Sequence, residues 1–139
     1  MAYGIRAVVD ESWEVVLRRV RDALAEQGFE VLTELNLSET LRTRLGVGLP
    51  PQIVLGVSRL PLIYAALQAE PSVGVLLPWH VVVRAESDDT TVVEAANLQL
   101  VVALTGNPGL EPVVAEASQR LTAAINTLAP VTSDLWLGA

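Results

Sequence analysis

Residues 71–84 read PSVGVLLPWHVVVR and decide the fold. Pro71 ends the segment that precedes it, because a proline has no backbone N–H with which to continue a helix. The apolar run that follows is interrupted by a second proline and then becomes β-branched, which favours a strand. We therefore predict a strand over 79–85, with Trp79 and His80 at its beginning.

A polar turn joins this strand to a returning one. Residues 86–89 read Glu-Ser-Asp-Asp, and the β-branched stretch 90–95 follows. Two such runs around a short polar turn are typical of a β-hairpin. Apolar spacing predicts the other elements: a strand at 3–9, a helix at 12–27, a strand at 29–35, a short helix that begins at Ser38 and ends at Gly46, a strand at 53–57, a helix opened by residues 58–61, and a helix at 111–128.

Two segments towards the C-terminus carry weaker patterns. Residues 97–104 fit either a short helical turn capped by Asn97 or a strand, and spacing alone leaves both alternatives open. Residues 130–139 are predicted as a tail, in which Leu135, Trp136 and Leu137 are the only side chains expected to pack against the rest of the chain.

The length of the chain, 139 residues, is typical of one domain. We therefore predict a single domain over 1–139, with its core at about 3–129.

The predicted order is β-α-β-α-β-α-β-β-α. A hairpin and short connections favour an α+β fold of two layers, an antiparallel sheet with helices packed on one face. The uncovered face would then carry apolar side chains at alternate positions of 79–85, and an exposed apolar face of this kind indicates an interface. The hydrophobic share of 51%, high for a soluble domain, points the same way. We therefore expect a homodimer with an interface near 79–83.

Composition excludes several classes of function. With no Cys, 1 His and 1 Met, the chain has almost no nitrogen or sulfur ligands, so we expect no metal and no cofactor. A net charge of −7 opposes binding to nucleic acid. No apolar run is long enough to span a membrane, and no signal peptide is recognisable, so a soluble, cytoplasmic, acidic protein is expected. The high use of Val, Ala, Leu and Arg indicates a bacterial source.

A group of polar and aromatic side chains offers a candidate pocket for a small molecule. His80 is the only imidazole, the side chain that changes charge near neutral pH, and Glu94 or Glu86 would orient it across the hairpin. A lone histidine without a nucleophile or a second ligand is more often a half-exposed strand residue. Tyr64 and Trp79 would form apolar walls, although large aromatics are more often core or interface residues.

The segment before the third helix adds two polar residues to this candidate pocket. Backbone N–H groups at a helix N-terminus bind anions, and Arg59 would add positive charge there. The simpler alternative is that Ser58 caps the helix. The candidate ligand-binding residues are therefore Ser58, Arg59, Tyr64, Trp79 and His80.

Four motifs follow one another in a specific order within residues 12–95: AEQGFEV at 25–31, LRTRLGV at 41–47 followed by LPP at 49–51 and IVLG at 53–56, PLIYAAL at 61–67, and EPSVGVLLP at 70–78 followed by VVV at 81–83. With these motifs the chain resembles the family called domain of unknown function 302. The resemblance implies a compact α+β fold with an antiparallel sheet and a homodimer. It implies no established activity.

This sequence departs from the family pattern at two places. Ser58-Arg59-Leu60 stands where many relatives read Cys-Asn-Pro, and Trp79-His80 stands where many read Cys-Asn after Leu-Pro. A thiol-based role cannot be carried over to a chain without cysteine. The leading hypothesis is therefore a non-enzymatic homodimeric interaction or binding module. The alternative is a small-molecule-binding protein that uses the candidate pocket, with weak acid–base chemistry.

Overall fold

The computed structural model describes the backbone of residues 2–136 and the side chains of residues 2–135. These residues form the following elements: β1 Ala2–Val9, α1 Trp13–Glu26, β2 Glu30–Asn36, α2 Leu37–Leu45, β3 Gln52–Ser58, α3 Leu60–Ala69, a 3₁₀ helix Pro71–Leu76, β4 Trp79–Ser87, β5 Thr90–Ala96, α4 Gln99–Thr105, a 3₁₀ helix Pro108–Leu110, α5 Glu111–Asn126 and β6 Thr132–Trp136. The open question at 97–104 is thus resolved in favour of a helix.

The strands form one six-stranded sheet in the order β2-β3-β4-β5-β1-β6. Every neighbouring pair is antiparallel. The predicted hairpin is the β4–β5 pair, with Val83 opposite Val93. The predicted α+β fold with an antiparallel sheet and helices packed on it is confirmed.

The core lies between one face of the sheet and the helices. Alternate residues of a strand point to the same face, and on β4 these are Trp79, Val81 and Val83, all nearly or fully buried. The helices α1 and α5 pack against each other over this layer, and their buried residues include Val16, Val20, Leu121 and Ile125. The other face of β4 presents His80, Val82 and Arg84, none of which is buried.

The prediction that the apolar side chains at alternate positions of 79–83 form a dimer interface is wrong, because this face of β4 is the one that the helices cover. Trp79 is 4% exposed, and Val81 and Val83 are fully buried within the chain, so none of them is available to a partner. A period of two fixes which residues share a face of a strand. It does not fix which face the helices cover, and that choice is made by the long-range packing of α1 and α5.

The C-terminal segment 130–139 contains a strand rather than only a tail. β6 pairs antiparallel with β1, and its register is irregular, with Leu135 opposite Gly4. A Cβ atom on Gly4 would lie 2.6 Å from Cδ1 of Leu135, so the missing side chain leaves room for that leucine. The side chains of Trp136 and Leu137, which were also expected to pack against the rest of the chain, lie outside the part that the structure describes.

Two predicted helix starts are corrected. Asn36, not Ser38, occupies the N-cap of α2, where its Oδ1 accepts from the backbone N–H of Glu39 at 3.0 Å. Ser38 instead links α2 to β3, because its Oγ accepts from the backbone N–H of Gln52 at 3.1 Å. Ser58 is not a helix cap either. It is the buried last residue of β3, and Arg59 holds the N-cap position of α3 without a side-chain hydrogen bond.

Within residues 2–136, no helix has the length and apolar character needed to cross a lipid bilayer.

Candidate functional site

A largely apolar hollow lies at the end of the sheet where β4 begins and β5 ends. Its volume is about 320 Å³, which is within the range of small-molecule sites. The first 3₁₀ helix and α4 form its walls, and the residues that line it are Val75, Leu76, Leu77, Pro78, Trp79, His80, Ala96, Asn97, Leu98, Leu100, Val101 and Leu104. The sequence thus predicted two of its wall residues, Trp79 and His80.

His80 supplies an exposed polar side chain to this hollow, and it makes no hydrogen bond with residues 2–135. The other polar lining residue, Asn97, is already bonded at both ends: its Nδ2 donates to the carbonyl of Ala2 at 2.6 Å, and its Oδ1 accepts from the backbone N–H of Gln99 at 3.1 Å. His80 is exposed on the face of β4 opposite the core. Glu94 and Glu86 do not orient it, because both carboxylates bond to arginines.

Trp79 forms an inner wall of the hollow. Its side chain is almost fully buried, and its Nε1 is one of two buried side-chain polar atoms without a hydrogen-bond partner among residues 2–135. An unpaired buried donor costs about 1–3 kcal/mol. Because it is buried and also lines the hollow, the Trp79 side chain belongs both to the core and to the wall of the hollow.

The other three candidate residues do not line the hollow. Ser58 is buried at the end of β3, and Tyr64 is 66% exposed on α3. Arg59 has its Nη1 3.6 Å from a carboxylate oxygen of Glu116 on α5. Its Nε lies 2.9 Å from the position that a Cβ on Gly28 would occupy. Because that guanidinium is already held between α5 and Gly28, it is not free at the N-terminus of α3.

An ion-pair network occupies the centre of the open sheet face. Oε1 of Glu94 accepts from Nε of Arg84 at 2.8 Å, and its Oε2 accepts from Nη2 of Arg6 at 3.0 Å. Arg84 also donates to Glu86 at 2.8 Å, and Arg6 donates to Asp134 at 3.4 Å. Both arginines are bonded to carboxylates of this network. The network therefore does not provide a free site for an anion.

The network shifts the ionisation of two of its members. Burial alone would raise the pKa of Glu94, but hydrogen bonds from Arg84 and Arg6 and their positive charges outweigh it and lower that pKa. The hydrogen bond to Glu94 raises the pKa of Arg84, against the opposing effect of burial. These ion pairs are therefore formed at neutral pH, and they link the three neighbouring strands β1, β5 and β4.

A protruding arm lies at the opposite end of the sheet from the hollow. We define the arm as α2 and the loop after it, residues 37–50. No residue of α2 is buried, and every residue from 42 to 50 is exposed. The exposed apolar side chains are Leu45 at 68%, Val47 at 45% and Leu49 at 47%. The sequence predicted this helix but not that Leu45 and the apolar residues after it are exposed.

An acidic groove of about 570 Å³ lies beside the arm. The beginning of α1, the base of the arm and the tip of the β4–β5 hairpin enclose it, and its lining residues are Ser12, Trp13, Glu14, Pro50, Pro51, Ala85, Glu86, Ser87 and Asp88. Three of these are carboxylates, and none is Lys, Arg or His. Sequence reasoning missed this groove because it assigned residues 86–89 only to a turn and residues 12–27 only to a helix.

Neither cavity provides a metal centre. No group of three or more His, Cys, Asp or Glu side chains in the described part of the chain is placed to hold a metal ion. The hollow offers an apolar surface with one imidazole, and the groove offers carboxylates beside an aromatic ring. Both arrangements suit non-covalent binding.

Comparison with known proteins agrees with the fold described above. The family described as "Domain of unknown function DUF302" matches residues 5–128 of the chain. A solved structure titled as an uncharacterised conserved protein DUF302 from Bacillus stearothermophilus is similar in fold, with a TM-score of 0.85 and 23% sequence identity. The similarity covers 92% of this chain and 99% of that one. No curated protein gives a significant sequence match.

Proposed function

Because the chain belongs to the family described as domain of unknown function DUF302, whose description names no activity, we propose a function from the surface of the molecule: a self-associating, homodimeric binding domain. The observation that carries this proposal is the arm. A helix of nine residues is too short to be stable in isolation, and most helical stability in proteins comes from packing an apolar face.

Among residues 2–135, only the beginning of the arm has such packing. Leu37, Leu41 and Leu45 recur every four residues and so lie along one side of α2. The first two are half-buried and the third is exposed. The loop then adds two more exposed apolar residues, Val47 and Leu49. A second copy of the chain would cover this surface, as isologous dimers do with a self-complementary patch.

The test of this proposal is the mass of the protein in solution. Sedimentation velocity and native mass spectrometry at micromolar concentration are expected to give twice the mass of the chain. A monodisperse monomer in both measurements would contradict the proposal. Native mass spectrometry also shows whether a small molecule accompanies the purified protein.

The hollow supports a second candidate function, the binding of a small molecule. Its polar side-chain groups are the amide of Asn97, which is engaged, the indole Nε1 of Trp79, which is buried without a partner, and the imidazole of His80, which is exposed and makes no hydrogen bond with residues 2–135. A hydrocarbon body in the hollow and a single acceptor or acidic group at the imidazole would match that arrangement. Sodium octanoate has this chemistry and serves as the probe.

Octanoate binding is measured by calorimetric titration of the wild type and of His80→Ala. The variant is expected to weaken binding about tenfold, because it removes the exposed polar side chain of the lining that makes no hydrogen bond with residues 2–135. Tyr64→Ala is the matched control, since Tyr64 is exposed and lies outside the lining of the hollow. Equal affinity in wild type and His80→Ala, with an intact fold, would remove this site from consideration.

A further inference from the structure

We propose that the arm of each copy occupies the acidic groove of the other copy. This inference rests on the self-association proposed above and adds to it the surface that mediates contact. Arm and groove lie side by side, because Pro50 belongs to both. A two-fold axis between them brings each arm over the partner's groove, which gives the two equal contacts of an isologous dimer.

Charge complementarity selects the arm as the occupant. The groove presents the carboxylates of Glu14, Glu86 and Asp88 and no cationic side chain. Glu14 lies in the first turn of α1, where it also offsets the helix dipole. Glu86 and Asp88 come from the hairpin and have no such role. Glu86 bonds to Arg84, whereas Asp88 makes no ion pair within the described part of the chain.

The end of the arm carries the matching charge. Arg42 and Arg44 lie in the last turn of α2. Arg42 pairs with Glu39 on the same helix, whereas Arg44 is exposed and makes no ion pair with residues 2–135. Arg44 therefore offers an uncommitted guanidinium, the group that carboxylates bind in a bidentate manner.

Apolar groups in the groove match the rest of the arm. Trp13, Pro50 and Pro51 form its apolar surface. Next to Arg44, the arm presents Leu45, which is 68% exposed. A guanidinium over the face of a tryptophan gains a cation–π interaction, and the adjacent leucine covers the prolines. The groove and the arm are thus complementary in charge and in apolar character.

Two charge reversals test this pairing. Arg44→Glu places a carboxylate of the arm against the carboxylates of the groove, and Asp88→Lys places a cation of the groove against Arg44 of the arm. Each variant alone is expected to raise the dissociation constant of the dimer about tenfold or more, since like charges meet across the contact. An equimolar mixture is expected to recover a heterodimer, because opposite charges then meet at both contacts.

The chain offers a matched control for each reversal. Asp89→Lys makes the same charge change as Asp88→Lys in the same turn, but Asp89 does not line the groove. Arg18→Glu makes the same change as Arg44→Glu at an exposed position on α1. Both controls are expected to form dimers like the wild type. All four positions are exposed, and circular dichroism is used to check that each variant folds.

The oligomeric state is read by sedimentation velocity at low salt, and the heterodimer by its mass in native mass spectrometry. If the wild type is a dimer and both reversals leave it unchanged, self-association stands and the pairing of arm and groove falls. The pairing also falls if both variants are monomeric and the mixture fails to form a heterodimer. A monomeric wild type overturns both proposals.

Discussion

Gly56 is a position on β3 where the sheet has no room for a side chain. A Cβ atom there would overlap Oγ1 of Thr33 and would lie 2.7 Å from Cγ of Pro78. Its neighbours come from β2 and from the segment that leads into β4, so the missing side chain lets three parts of the sheet approach. The φ of Gly56 is not in the left-handed region, so its backbone conformation does not require glycine. The lack of space for a Cβ atom is what requires glycine at this position.

Gly56→Ala is accordingly expected to lower the free energy of unfolding by about 1–3 kcal/mol, because overpacking forces neighbouring atoms apart. Urea denaturation measures the effect. Gly48→Ala is the matched control, since no atom lies within 4 Å of its added Cβ. Equal stability of the two variants would show that β2 and Pro78 adjust without strain.

Glu94 is the central acceptor of the ion-pair network, and its lowered pKa has a consequence for stability. As the pH falls, the unfolded chain binds a proton at this group before the folded protein does. The stabilisation from Glu94 is therefore fully present above about pH 4.5, its ordinary value, and is lost as the pH falls through the folded-state pKa.

Glu94→Gln is expected to lower the free energy of unfolding by about 1–2 kcal/mol at pH 7. The difference from the wild type should shrink as the pH is lowered below about 4.5 and through the lowered pKa of Glu94, and urea titrations at several pH values measure it. Glu30→Gln is the control, because Glu30 is exposed and makes no ion pair with the side chains described. A gap that stays constant over this range would contradict the assigned linkage.

At the scale of elements, α2 differs from the other helices in what stabilises it. The helices α1 and α5 are held by apolar stripes against the sheet, with Val20 and Leu121 fully buried. By contrast, α2 has no buried residue and depends on its ends. Asn36 caps its N-terminus and Gly46 closes its C-terminus in the left-handed conformation. Local hydrogen bonds therefore define the arm where packing does not.

Asn36→Ala is expected to destabilise the protein by about 1 kcal/mol, because the backbone N–H of Glu39 loses its acceptor. Urea unfolding measures this loss. Thr43→Ala provides the comparison within α2, since Thr43 is exposed and its hydroxyl makes no hydrogen bond within residues 2–135. That variant should remain within about 0.5 kcal/mol of the wild type. Equal values for both would mean that α2 unfolds independently of the rest.

At the scale of the whole molecule, the two candidate binding surfaces lie at opposite ends of the sheet. The hollow adjoins the beginning of β4 and the end of β5, whereas the arm and the groove adjoin the hairpin between these strands. No residue belongs to both cavities. Substitutions more than about 10 Å apart with no shared partner act independently, so self-association and ligand binding should be separable.

Leu45→Asp and Leu104→Asp test this separation. Both leucines are about 70% exposed, so neither change should disturb the core. Leu45→Asp is expected to weaken the dimer while octanoate binding remains. Leu104→Asp is expected to weaken octanoate binding about tenfold, through lost apolar contact, while the dimer remains. Sedimentation velocity and calorimetry measure the two effects. Loss of both properties in either variant would show that the sites are coupled.

The sequence alone determined the local elements and the class of fold. Turn residues and apolar periods are local properties, so the β4–β5 hairpin and the long helices α1 and α5 were predictable. The order of these elements then indicated an antiparallel sheet with helices packed on it. The resemblance at residues 25–83 indicated the family, and the match over residues 5–128 confirms it.

Tertiary structure alone decided which surfaces remain available. It placed Trp79, Val81 and Val83 in the core, added β6 beside β1, and left the arm exposed next to a groove with three carboxylates. It also separated Ser58, Arg59 and Tyr64 from the hollow that Trp79 and His80 line. These outcomes depend on contacts between residues far apart in the chain, and the spacing of residues along one strand or helix carries no information about them.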